Sequence, residues 1–281
     1  MKRGLIARWR EPSVLPGFPL AFGLTVAYLG AIVIIPLAAL VLKPWSLGLH
    51  GIWRELTEPR VLAALRLSFG TSALAALVDA PLGLIIAWTL VRYEFPGRRL
   101  IDALVDLPFA LPTAVAGIAL TTLYAPNGLM GALAAKVGIK TAYSPVGIFI
   151  ALLFIGLPFI VRAIQPVLQD LDHEVEEAAR TLGATDLQRV VQVVLPALAP
   201  ALVSGATLAF ARAVGEYGSV IFIAGNMPMK TEIAPLLIVI KLEQYDYAGA
   251  AAVGLAMVVI SFGSLVAINA LQAFLARRGR A

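Results

Sequence analysis

Residues 170–200 read DLDHEVEEAARTLGATDLQRVVQVVLPALAP. Asp172 stands at an N-cap position, and Glu174 falls in the first turn, where the helix dipole favours an acid. Leu171, Val175, Ala178 and Leu182 recur at spacings of four, three and four, which is one apolar face of a helix. Gly183 supplies the left-handed conformation that ends a helix. Thr185, with Gln188 three residues on, is a capping-box pattern that starts a second helix. Leu195–Pro196 then leads into an apolar run. The stretch predicts two short helices joined at a glycine. A connector resting on a bilayer surface would share the periodicity. It would give no reason for the small Ala178–Ala179 pair or for the glycine elbow.

On both sides of this stretch the chain is apolar at membrane length. A fourth span covers about Pro145 to Ile164, and a fifth about Ala197 to Ala224 with Arg212 and Glu216 inside. A sixth, Tyr247 to Ala276, is uncharged for 30 residues. Further back, a second span runs from about Leu62 to Val91, with Arg66 near its start and Asp79 at its middle. A third runs from Ile101 to about Tyr124, and its Pro108 and Pro112 predict a kink or break. The first, Gly17 to Leu42, carries no charge for 26 residues. It is longer than the roughly 7–15 apolar residues of a secretory signal and contains Pro36, so it reads as an uncleaved span. Ile233 to Ile240 is apolar but too short to cross, and reads as an interfacial or re-entrant helix.

Composition agrees. Of 281 residues, 60% are hydrophobic and 14% charged, and mean hydropathy is +0.88. A soluble chain has about 45–50% apolar and about 25% charged residues. A water-soluble enzyme would have too little polar surface, and disorder is excluded by the same numbers. There is no cysteine, and the two histidines, His50 and His173, are far apart, so no metal site is expected. The net charge of +5 is scattered between apolar runs, which argues against nucleic acid and for basic loops beside membrane lipid.

Lysine and arginine set the orientation. With the N-terminus inside, inner segments hold Lys2, Arg3, Arg8, Arg10, Arg92, Arg98, Arg99, Arg162, Arg180, Arg189, Arg277, Arg278 and Arg280, thirteen in all. Outer loops hold Lys43, Arg54, Arg60, Lys136, Lys140, Lys230 and Lys241, which is seven. Six spans with both ends in the cytoplasm satisfy the positive-inside rule. The expected fold is an all-α membrane protein of six transmembrane helices, with residues 170–200 on the cytoplasmic side.

Glu177-Ala178-Ala179, then three residues, Gly183, nine residues, and Val193-Val194-Leu195-Pro196 resemble a loop found in the membrane subunits of binding-protein-dependent ABC importers. Valine at 193 replaces the family's isoleucine. The resemblance covers roughly residues 60 to 275. It implies a type I ABC importer permease fold, with an N-terminal tail, first helix and first periplasmic loop over 1–58, a permease domain over 59–276, and a tail over 277–281. The loop 170–196 would carry a coupling helix that docks into a cytoplasmic ATPase. Glu177 would be a polar anchor, Ala178 and Ala179 would permit close approach, Gly183 would be the elbow, and Leu195-Pro196 would lead back into the membrane. The chain has no G-x-x-x-x-G-K-[ST] and no Gly-Lys dipeptide, so ATP would be used by a separate ATPase dimer and no cofactor by this chain.

Other segments resemble the sulfate and molybdate branch of that family: Asp106 to Leu120 in the third span, and Gly215-Glu-Tyr-Gly218. Tyr217 to Pro228, Lys230 to Leu237 and Leu242 to Tyr247 are similar to the sulfate/thiosulfate permease subunit of the T type. That resemblance implies a heterodimer with a related W-type permease subunit, and a periplasmic sulfate- or thiosulfate-binding protein. A molybdate or tungstate permease is the alternative. An ion-coupled secondary carrier would need internal repeats with matching midplane charges, which the sequence lacks. An intramembrane enzyme would need a paired nucleophile and base within the spans.

Intramembrane charge is costly and needs a partner or a cavity. Arg212 and Glu216, four apart, are expected to pair, either as a brace or beside the substrate path. Asp79 is expected to pair with Arg66 or to cap backbone near Pro81, and Asp102 and Asp106 to be held by Arg98 and Arg99. Passage needs weak binding along the path, for which Thr113, Thr121, Thr122, Ser204 and Thr207 are candidate hydroxyls; such groups also bond back to their own helix. The prolines at 108, 112, 196 and 200 would loosen helices beside the loop. Glu232 to Gln244 is expected to face outside, towards the binding protein.

Overall fold

The computed structural model describes residues 17–278. The basic start with Lys2, Arg3, Arg8 and Arg10, and the tail from residue 279 with Arg280, lie outside the described residues. Every regular element within them is a helix. Five helices are long and apolar enough to cross a membrane, or six if one bent pair counts as a single span.

The first span is α1 (Phe18–Leu29), a π-helical turn over 30–34, and α2 (Ile35–Leu42), followed through a 3-10 turn by α3 (Gly48–Leu56). The π turn has a covalent cause. Pro36 has no N–H to give to the carbonyl four residues back, so the turn ahead of it widens. Pro196 does the same to residues 190–194 further on.

Three helices make the centre: α4 (Pro59–Arg92), α9 (Pro145–Gln169) and α12 (Leu195–Val214). Lipid tails are as apolar as leucine, so association depends on close packing. Small residues provide it. A Cβ on Gly83 of α4 would stand 2.6 Å from Ile160 Cγ2, and one on Gly205 of α12 would stand 2.9 Å from Ile160 Cα. Ile160, Val161 and Ile164 of α9 are fully buried, in one apolar core with Ala87 of α4 and Leu198 of α12.

The third crossing is assembled from pieces: α5 (Arg98–Val105), α6 (Leu107–Ala110), α7 (Thr113–Tyr124) and α8 (Leu129–Lys136). The expected break falls at Leu111–Pro112, with Pro112 as the N-cap of α7. A second break at 125–128 bends α8 by 44° from α7. The twelve residues of α7 rise about 18 Å, short of the roughly 30 Å apolar core.

After α9 come α10 (His173–Thr181) and α11 (Asp186–Arg189). The fifth span differs from its expected bounds of 197–224. It begins near Asp186 and stops at Val214. Residues beyond it form a turn and a four-residue helix, α13 (Val220–Ile223), tucked between α7 and α9. Gly117 of α7 admits this segment, since a Cβ there would meet the Ser219 carbonyl oxygen at 2.4 Å.

The short helix α14 (Ala234–Glu243) packs on α4 and on the last helix, α15 (Tyr247–Arg278). Its Ala234, Leu236 and Leu237 are buried against those two helices. Glu232 is likewise buried. It accepts two hydrogen bonds from Arg60, at 2.8 and 2.7 Å, while Ser68 Oγ accepts from Ala234 N at 2.8 Å. Exposure rises along residues 232–244, and Leu242, Glu243 and Gln244 at the end of that stretch are exposed. Lys241, just before them, is half-buried. It pairs with Glu55 at 2.5 Å and Asp246 at 3.3 Å. Burial lowers its pKa, but those two carboxylates outweigh burial and hold it above the usual lysine range.

Two charge expectations are corrected. The ion pairs of Asp102 and Asp106 go to Arg162 of α9, and Arg98 acts on Asp102 through its charge alone. Nε and Nη2 of Arg162 donate to the two oxygens of Asp106 at 2.8 and 2.6 Å, and Nη1 donates to Asp102 at 2.7 Å. The planar guanidinium of Arg162 spans both carboxylates at once, taking Asp106 bidentately and Asp102 with its remaining nitrogen. Asp79 does not pair with Arg66. Thirteen residues on one helix separate them by about 20 Å; Arg66 is exposed, and Asp79 is buried with no ion pair among the described residues.

Candidate functional site

The loop between α9 and α12 is built almost wholly from local interactions. Asp172 caps α10 by accepting the Glu174 N–H at 2.9 Å. Gly183 takes φ +87°. There its N–H reaches the Arg180 carbonyl at 3.0 Å, and the Ala184 N–H reaches that of Ala179 at 3.1 Å. Thr185 and Gln188 form the complete capping box, at 3.3 Å from the Gln188 N–H and 2.8 Å from the Thr185 N–H. Asp186 and Arg189 pair at 2.6 Å across the short second helix.

Few contacts tie this hairpin to the body. Leu171 packs against the three-helix core. Glu176 pairs with Arg92 at the end of α4, whose guanidinium lies 5.5 Å over the Trp88 ring. Spacing along the chain cannot reveal that pairing, because 84 residues separate its members. On the far side Glu177 and Ala178 are exposed and Ala179 is half-buried. Leu182 is 88% exposed, Leu187 73% and Val175 50%. Leu195 is half-buried and Pro196 exposed, between the fully buried Val194 and Leu198. The hairpin is rooted at one end and shows an unpaired apolar face at the other.

The path candidates separate into two groups. Three threonine hydroxyls bond back to their own helices: Thr121 to Gly117 O at 2.7 Å, Thr122 to Ile118 O at 2.9 Å, and Thr207 to Val203 O at 2.7 Å. They show lone pairs, not protons, to their surroundings. Thr121 and Thr122 line an open groove with Asn127 and Tyr143. Thr113 sits under Gly218, where a Cβ would lie 2.2 Å from its hydroxyl. Ser204 is exposed and its hydroxyl is unbonded among the described residues. Arg212 and Glu216 do pair, at 2.5 Å. Glu216 also accepts from Ser219 N and Oγ at 3.0 and 3.1 Å. It lies past the end of α12 and is buried, whereas Arg212 keeps 38% of its side chain open. The pair therefore braces the turn out of α12 and leaves one cationic flank available. Among the described residues no cluster of three or more histidine or acidic residues is placed to hold a metal.

Residues 80–281 match the family described as "Binding-protein-dependent transport system inner membrane component". The chain belongs to this family. It is a multi-pass inner membrane permease with an all-helical fold. Its curated relatives include the sulfate transport system permease protein CysT of Synechocystis sp., 49% identical over 88% of this chain and 87% of that one. The protein of the same name from Escherichia coli (strain K12) is 46% identical over 94% and 96%. Among solved structures, a bacterial alginate ABC transporter in complex with an alginate pentasaccharide-bound periplasmic protein superposes with a TM-score of 0.75 at 16% identity. That match covers 92% of the permease and 94% of the other chain. An amino acid ABC transporter superposes at 0.52, with 21% identity, over 78% and 94%. At these identities the superpositions establish the fold, that of a type I ABC permease.

Proposed function

We propose that the permease carries sulfate and thiosulfate into the cytoplasm as one membrane subunit of an ATP-driven importer. The observation that carries this reading is 46–49% identity, over nearly the whole chain, to proteins named for sulfate transport. The same reading seats the hairpin of α10 and α11 in a cytoplasmic ATPase dimer, with Glu177, Ala178, Ala179 and Gly183 at the contact and Leu195-Pro196 as the hinge into α12. It places both termini in the cytoplasm, a W-type permease alongside, and a sulfate- or thiosulfate-binding protein at the outer face.

A sulfate dianion needs donors. Ser204 and the open flank of Arg212 supply them, while the back-bonded Thr121, Thr122 and Thr207 shape the path and Glu216 moderates the arginine. Such a path binds weakly, which is what passage requires. Selectivity then rests with the binding protein. Radiolabelled sulfate uptake in a deletion strain carrying this gene tests the proposal, with thiosulfate and molybdate as competitors. Uptake restored and blocked by thiosulfate is the expected outcome; uptake of molybdate in place of sulfate would overturn the substrate.

A further inference from the structure

Asp79 lies at the middle of α4, inside the three-helix core, and is 1% exposed. Its Oδ2 is buried and has no hydrogen-bond partner. The carboxyl fills a notch in α9: a Cβ on Gly156 would stand 2.4 Å from Oδ2 and 3.4 Å from Ala209 Cβ of α12. The helices packed around it bring no free cation. Arg162, the charged residue of α9, is engaged by Asp102 and Asp106, and Arg212 of α12 by Glu216. On α4 itself Arg66 is exposed, Arg60 is held by Glu232, and Arg92 by Glu176. None of the elements considered for the transport path uses Asp79.

An ionised carboxylate without a partner in such a place is far costlier than a neutral one, and the group normally takes up a proton instead. We propose that Asp79 is a proton-holding site: its carboxyl is the neutral acid while α4, α9 and α12 are packed together. The carboxyl is an uncharged plug seated against Gly156. The packed state therefore binds one proton more than a state in which α9 has withdrawn and water reaches Asp79. By linkage, packing is favoured at low pH and weakened as pH rises. This inference does not depend on which anion is carried.

The test uses the assembled importer in nanodiscs at neutral pH. The infrared spectrum of the parent complex minus that of Asp79→Asn should contain the C=O stretch of a protonated carboxylic acid, shifted in heavy water. The parent should also lose thermal stability as pH rises, by more than Asp79→Asn does. If Asp79→Asn does not assemble, Asp79→Ala with Gly156→Ala is the blank, because the second methyl refills the notch that the first change empties. Gly156→Ala alone should disrupt assembly, and Asp79→Ala should restore it. A difference spectrum showing only ionised carboxylate, or equal pH dependence in parent and variant, would overturn the proposal.

Discussion

The hairpin of α10 and α11 and the core of α4, α9 and α12 hold polar groups in opposite ways. In the hairpin every cap is made within a few residues: Asp172 to Glu174, Thr185 to Gln188, Gly183 to Arg180. In the core the partners are remote. Glu232 meets Arg60 across 172 positions, and Asp102 and Asp106 meet Arg162 across 60 and 56. The hairpin is therefore self-organised and can show its apolar residues to a partner without losing its shape. The core is organised by packing, and apart from Arg212 with Glu216 its ion pairs join segments far apart in the chain.

This contrast orders the expected effects of mutation. The largest is in the core. Arg60→Met strands a carboxylate whose side chain is 1% exposed and should cost about 3 kcal/mol, at the low end for a buried pair because Arg60 is itself one-third open. Thermal unfolding in detergent measures it. Adding Glu232→Leu should recover most of the loss; if the double variant is no better, the pair is not what holds α14 against α4.

Next is Gly183→Val, which forces a β-branched side chain into φ +87°. No atom lies within 4 Å of its Cβ, so the cost is backbone strain alone, about 1–2 kcal/mol. ATP-driven uptake in reconstituted vesicles should fall while the amount of inserted chain is unchanged. Unchanged uptake would count against the elbow. Thr185→Ala removes one half of the capping box and should cost about 1 kcal/mol; amide exchange over residues 185–190 should quicken while that of α9 stays the same. Leu182→Ser should be within about 0.5 kcal/mol of neutral for the fold, since the side chain is 88% exposed. Retention of the ATPase by the purified permease should nonetheless drop. A variant that unfolds would mean that Leu182 serves the permease itself and not a docking face.

Much of this protein is written in local sequence. The apolar runs gave the spans, because about 20 apolar residues have no other solution in lipid. Residues 170–189 were legible down to individual caps, because a cap is made by near neighbours. The fifth span was misplaced by some ten residues at each end. Its apolar composition continues through Val220–Ile223, while its helix stops at Gly215. Composition does not distinguish a helix in lipid from a buried turn between helices. The pair Arg212 and Glu216 was legible from its spacing of four, but its role as a brace was not, since Ser219 completes it only after the chain has turned.

The amino-acid order alone thus determined that the chain is helical, lives in a membrane and carries a capped hairpin between two spans, since each of these follows from contacts a few residues apart or from transfer into lipid. Tertiary structure decided where the charges go: Arg162 to two aspartates, Glu232 to Arg60, Asp79 to a notch at Gly156. Those choices depend on which helix faces which, and that is set by close packing of side chains with no regular spacing along the chain.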